Sequence, residues 1–141
     1  MESTLVLLKP DATARNLVGR ILAYFEMNGL KVSRMRSVKY PGQYNCERHY
    51  QEHRGKWFFA RNVEFLRSGL VIAVVISGED AVRRVRDLVG ATNPADAMPL
   101  TIRGKFGRLE KDKWSELPCN LVHASDSLDS SEREMLLWFP S

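Results

Sequence analysis

Short apolar runs alternate with segments whose apolar residues recur every three or four positions, the pattern of strands alternating with helices. Residues 3–8 read as a buried strand, closed by Lys9-Pro10. Asn16 is placed to cap a helix with an apolar face of Val18, Ile21, Leu22 and Phe25. Gly29 suits its C-terminus, because glycine takes positive φ without strain. Residues 30–40 predict a second strand with poor alternation, broken by Pro41-Gly42. Residues 46–66 predict helix, interrupted around Gly55. Ser68-Gly69 turns into a third strand, residues 70–76, whose continuous apolar character predicts burial on both faces. Glu79 and Asp80 open the next helix, where acidic residues suit the helix dipole. Val82, Val85 and Val89 are its expected buried stripe, and Gly90 its end. Residues 91–118 look irregular, and a connection that long is usually functional. A short fourth strand, residues 120–123, leads to a last helix after Asp126, with Met135 and Trp138 on one face.

The order β-α-β-α-β-α-β-α fits an α+β fold: a ferredoxin-like antiparallel sheet of four strands with helices packed on one face. A flavodoxin-like parallel sheet is the alternative. No repeat or linker divides the chain, so residues 1–141 are expected to form a single domain. Hydrophobic residues make up 44% of the 141, enough for a real core and too many for a disordered chain. The longest apolar run, residues 70–76, is far too short to cross a bilayer. Met1-Glu2-Ser3-Thr4 carries no basic region ahead of an apolar stretch, so a cytoplasmic protein is expected. Cys46 and Cys119 have no metal-type spacing and read as reduced thiols. The net charge of +4 fits a nucleic-acid surface, an anionic membrane or a small site for a charged anion, and composition alone does not choose.

The chemistry concentrates at His123, where an apolar strand ends on an imidazole just before a helix start. A lone histidine is more often a buried structural residue than a catalyst. Glu134, on the following helix, changes that balance. A carboxylate on one ring nitrogen fixes the tautomer and leaves the other nitrogen to attack. Lys9 follows the first strand, and Pro10 stops that strand and turns the chain across the end of the sheet. Arg86 and Arg103 supply guanidiniums that match phosphate oxygens, and Thr92 a hydroxyl. Each charge-assisted hydrogen bond is worth roughly 1.5–3 kcal/mol. Phe58 is suited to stack on a base and Tyr50 to bond the histidine region or a phosphate, though both residue types are more often core. His49 and His53 have zinc-compatible i, i+4 spacing, but no third ligand is evident. Gly104-Lys105-Phe106-Gly107 is too short for a Walker A loop, and protein-kinase and aromatic RNA-binding signatures are absent. Nucleic acid as a partner is therefore unsupported.

Read together, these stretches resemble nucleoside diphosphate kinases. The resemblance runs over residues 4–11, His49-Tyr50, Phe58-Phe59, residues 86–96, Thr101-Ile102-Arg103-Gly104 and residues 120–127. It implies a ferredoxin-like fold and a ping-pong reaction in which His123 takes the γ-phosphate of a nucleoside triphosphate and passes it to a diphosphate. It implies that Lys9, Tyr50, Arg86, Thr92, Arg103 and Asn120 hold the phosphates and sugar. By the same resemblance Phe58 stacks on the base, Glu134 orients His123, and Ser125 supports both. Mg²⁺ would ride mainly on the nucleotide phosphates, and a homo-oligomer is expected.

Some positions depart from the family's pattern. Asn62 stands where an apolar residue is usual and could hydrogen-bond a base edge or sugar, shifting base preference. Lys105 replaces a common aspartate and is expected to face solvent. Leu70 and Leu100 replace a common proline and glycine. The segment 106–119 is longer than usual, and the tail stops soon after the last helix. A dimer or tetramer is therefore expected over a hexamer. The competing classes are a binding protein that keeps the fold and a phosphohistidine donor to other proteins.

Overall fold

The computed structural model describes residues 1–107 and 120–140 of the chain. Four strands form one sheet: β1 (Glu2–Leu8), β2 (Lys31–Lys39), β3 (Leu70–Gly78) and β4 (Val122–Ala124). Their order is β2-β3-β1-β4, and every neighbouring pair is antiparallel. The ferredoxin-like α+β expectation is borne out, and the parallel alternative is not.

The expectation that helices cover one face is wrong. Along β1 every residue from Thr4 to Leu8 is fully buried, so both faces need cover. Val6 and Leu8 pack with α2 (Val18–Met27) and α5 (Ala81–Val89) through Ile21, Phe25 and Val85. Leu5 and Leu7 face the other way, into Cys46, Leu66 and Trp138. These belong to α3 (Gln43–His49), α4 (Phe59–Leu66) and α7 (Leu128–Trp138). Burying each such side chain contributes roughly 1.5–3 kcal/mol.

Several element expectations need correcting. Pro10 does not deflect the chain but starts a short helix, α1 (Pro10–Ala14), in the first turn, where its missing N–H is no loss. Asn16 is no cap; it takes a positive φ of 57° in the turn before α2, whose capping residue is Leu17. The helical stretch 46–66 starts earlier and splits at a 3-10 turn, Gln51–His53, and at Gly55. In α5 the buried stripe is Ala81, Val85 and Val89, with Val82 only half-buried at its margin. Residues 91–107 are not irregular throughout. They hold a 3-10 turn, Pro94–Asp96, and α6 (Ile102–Phe106), with Thr101 Oγ1 accepting from the Gly104 amide. Most of the expected long segment 106–119, Cys119 included, lies outside the described residues.

Candidate active site

Strand alternation aims the central imidazole. His123 pairs with Leu7, so it shares the face of Leu7, toward α3 and α7. Val122 and Ala124 point to the opposite core. On α7 the buried residues are Ser131, Glu134 and Trp138, a helical stripe turned to the sheet. Ser127 starts that helix by accepting from the Ser130 amide. Ser131 meets Thr4 of β1 through a hydroxyl bond of 2.9 Å, which fixes the helix against the strand.

Glu134 Oε1 lies 2.7 Å from His123 Nε2 and accepts a 2.7 Å bond from the Ser125 hydroxyl. An ionised carboxylate only accepts, so the proton of the pair sits on Nε2. Nδ1 then keeps its lone pair, and it makes no hydrogen bond among the described residues. Burial, with Lys9, Arg103 and Arg86 nearby, pushes the imidazole pKa down to about 3. The ring is therefore neutral at physiological pH. Burial raises the Glu134 carboxyl above its ordinary value, against the lowering effect of His49, Ser125 and Arg133.

One cavity of about 360 Å³ collects the expected residues. Its inner end holds Lys9, Arg86, Thr92, Arg103 and Asn120 around His123 and Tyr50. Phe58 and Asn62 line its outer end. Ser125 is fully buried behind Glu134 and does not reach the cavity. Arg86 donates to the Ala124 carbonyl at 3.2 Å. Arg103 spans three carbonyls, of Asn120, Gly90 and Val122, at 3.2, 3.0 and 2.7 Å. Burial and Arg86 pull its pKa down to about 10, so it stays charged near neutrality. Arg103 thus clamps the strand that carries His123 as well as presenting charge. Gly90 permits this clamp: its φ of 92° favours glycine, and a Cβ there would strike Thr101. Asn120 donates to the Thr92 carbonyl at 3.1 Å, while its Oδ1 is buried without a partner.

Sequence reasoning missed two supports. Asp11 Oδ2 accepts from the Leu121 amide at 3.0 Å, and the Lys9 amide donates to the Leu121 carbonyl at 2.8 Å. Together they hold Leu121 at a φ of 69°, a conformation costly for a leucine, directly before β4. Nothing about a leucine signals this. The second is His49, not half of a zinc pair with His53 but a buried ring stacked edge-on against His123, centroids 4.3 Å apart. Trp138 donates to its Nδ1 at 3.1 Å. Burial, His123 and Lys9 keep it neutral. His49, His123 and Glu134 have the ligand types of a metal site. However, Glu134 and His123 are already bonded to each other, and Lys9 and two guanidiniums repel a cation. The arrangement is built to receive an anion. Lys105 is exposed and lies over Phe106, outside the cavity, as expected. Leu70 and Leu100 lie partly or largely in solvent.

A family model described as nucleoside diphosphate kinase matches residues 2–141. The chain is 44% identical over 138 residues to a nucleoside diphosphate kinase of Methanocaldococcus jannaschii, covering 98% of this chain and 93% of that one. Among solved structures it resembles a halophilic nucleoside diphosphate kinase from Halobacterium salinarum in complex with CDP, with a TM-score of 0.89 and 41% identity. That match covers 99% of this chain and 88% of the other. A nucleoside-diphosphate kinase from Borrelia burgdorferi, a transition-state mimic with vanadate and ADP, matches with a TM-score of 0.89, 29% identity and the same coverage.

Proposed function

The chain belongs to the nucleoside diphosphate kinase family, whose members move a terminal phosphate from a nucleoside triphosphate to a nucleoside diphosphate, and on that premise we propose that His123 is the phosphate carrier. The carrying observation is a neutral imidazole with Nε2 held by Glu134 and Nδ1 available inside a cation-lined cavity. In the first half-reaction Nδ1 attacks the γ-phosphorus in line. The Nδ1–P bond forms as the bond from phosphorus to the bridging oxygen breaks, and the diphosphate leaves with that oxygen. In the second half a new diphosphate attacks the phosphohistidine, and Nδ1 leaves with its electron pair. The proton on Nε2 stays bonded to Glu134 throughout, which stabilises the positive charge of the ring.

Lys9, Arg86, Arg103, Thr92 and Tyr50 are placed to bind the transferring phosphates, where positioned charge does most of the catalytic work. The partnerless Oδ1 of Asn120 is placed to accept a hydrogen bond from a sugar hydroxyl. Phe58 is the platform for the base, and Asn62 lies on the helix beside it. The site suits Mg²⁺ that arrives on the nucleotide: cations dominate the inner end, and Asp126, held ionised chiefly by Ser130 with help from Arg86, is the carboxylate placed to meet its hydration shell. The ion would neutralise phosphate charge. The same reading treats residues 1–141 as one domain and the protein as a cytoplasmic homo-oligomer, with β2, a largely exposed edge strand, open to a second copy.

The experiment is a two-step label transfer. The protein and His123→Ala are incubated with γ-labelled ATP and Mg²⁺, then chased with a second diphosphate. Acid-labile label on the parent alone, passing into the new triphosphate, is expected. A folded parent that takes no label, or a labelled His123→Ala, would overturn the assignment.

A further inference from the structure

The outer end of the cavity is rich in hydrogen-bond donors and poor in acceptors. Phe58 presents a half-buried ring there, with the His53 ring 5.3 Å away and tilted 60° to it. Lys56 Nζ lies 3.0 Å from His53 Nδ1. An ammonium only donates, so Nδ1 accepts and the neutral ring carries its proton on Nε2. His53 therefore offers an N–H to whatever lies on Phe58. Asn62, on α4, is half-buried in the same cavity, and its amide makes no hydrogen bond among the described residues. The neighbouring carboxylate, Glu52, is held by Arg133 at 3.0 Å and is not a ready acceptor.

Given that His123 carries the phosphate and Phe58 the base, we propose that His53 and Asn62 read the base edge and favour keto bases. Guanine presents O6 and N7 as adjacent acceptors, whereas adenine places an amino donor where guanine has O6. Uracil and cytosine differ in the same way, with a carbonyl at position 4 in one and an amino group in the other. A donor facing the His53 N–H leaves two polar groups unpaired, and a site built around a hydrogen bond rejects the base that lacks it. Guanine and uracil diphosphates are thus the preferred acceptors. The preference is roughly tenfold in kcat/KM, the weight of one such bond.

The test uses the labelled phosphoenzyme, mixed with GDP and ADP together, or UDP and CDP together. Labelled GTP should exceed ATP, and UTP exceed CTP, by about an order of magnitude. Inosine diphosphate keeps O6 and N7 but lacks the 2-amino group, and it should behave as GDP. His53→Leu, Asn62→Leu and the double variant should bring the ratios toward one, and a ratio is readable even in a slower variant. Even ratios in the parent, inosine diphosphate behaving as ADP, or ratios unchanged in every variant would overturn the proposal while leaving the phosphate carrier intact. Failure to form acid-labile label at all would sink the carrier assignment, and the base preference with it.

Discussion

Glu134 bonds one imidazole nitrogen and so decides what the other can do. With the carboxylate accepting from Nε2–H, Nδ1 has only one option, to act as a nucleophile. A glutamine at 134 keeps the shape but can donate as well as accept. When it donates, the proton moves to Nδ1 and the nucleophile is lost. Glu134→Gln should lower the single-turnover rate of His123 phosphorylation roughly 10–100-fold, the weight of a hydrogen bond to a charged group. Nucleotide affinity should change little. Rapid-quench measurement of label on His123 decides it, and an unchanged rate would show that Glu134 is only structural. His123 and Glu134 were legible together because a strand-ending histidine and a carboxylate one helix stripe later need no long-range information. Arg103 was legible only as a charge. Its three carbonyl bonds depend on a strand 17 and more residues away in sequence, which no local pattern encodes.

The elements meet at a strained junction that carries the catalytic strand. β4 is only three residues long, and its approach is set by Leu121, whose two backbone groups are tied to the Lys9–Asp11 turn. The strand–helix alternation was readable because it rests on local periodicity. The start of α1 at Pro10 and the positive φ of Leu121 were not, because tertiary hydrogen bonds impose them against local preference. Asp11→Ala leaves a buried amide without its acceptor, so stability should fall by about 1–3 kcal/mol. Label transfer should slow, since the junction positions His123. Asp11→Asn keeps an acceptor oxygen and should recover most of both. Urea unfolding of the three proteins checks this, and an alanine variant as stable as the parent would remove the junction from the argument.

For the whole molecule, the two neutral imidazoles packed in one core link the site to acid stability. His49 and His123 are both held below the ordinary histidine value, mainly by burial, and by each other's surroundings of Lys9, Arg86, Arg103 and Arg133. The unfolded chain protonates both near pH 6.5, while the folded protein does not. Below that pH the unfolded state binds more protons, so stability falls as pH drops. Each histidine contributes a limiting slope of about 1.4 kcal/mol per pH unit. For His123 the slope continues toward the folded value of about 3. Glu134 works in the opposite sense, because its raised pKa lets the folded state gain a proton before the unfolded state does. The net expectation for the nucleotide-free protein is constant stability from pH 8 to 7 and a loss of about 1–3 kcal/mol by pH 5.5. Urea midpoints across that range measure it, together with the proton uptake on unfolding at pH 6. Stability that stays flat or rises between pH 7 and 5.5 would mean that His123 is charged in the fold, and a charged imidazole has no lone pair for the phosphate.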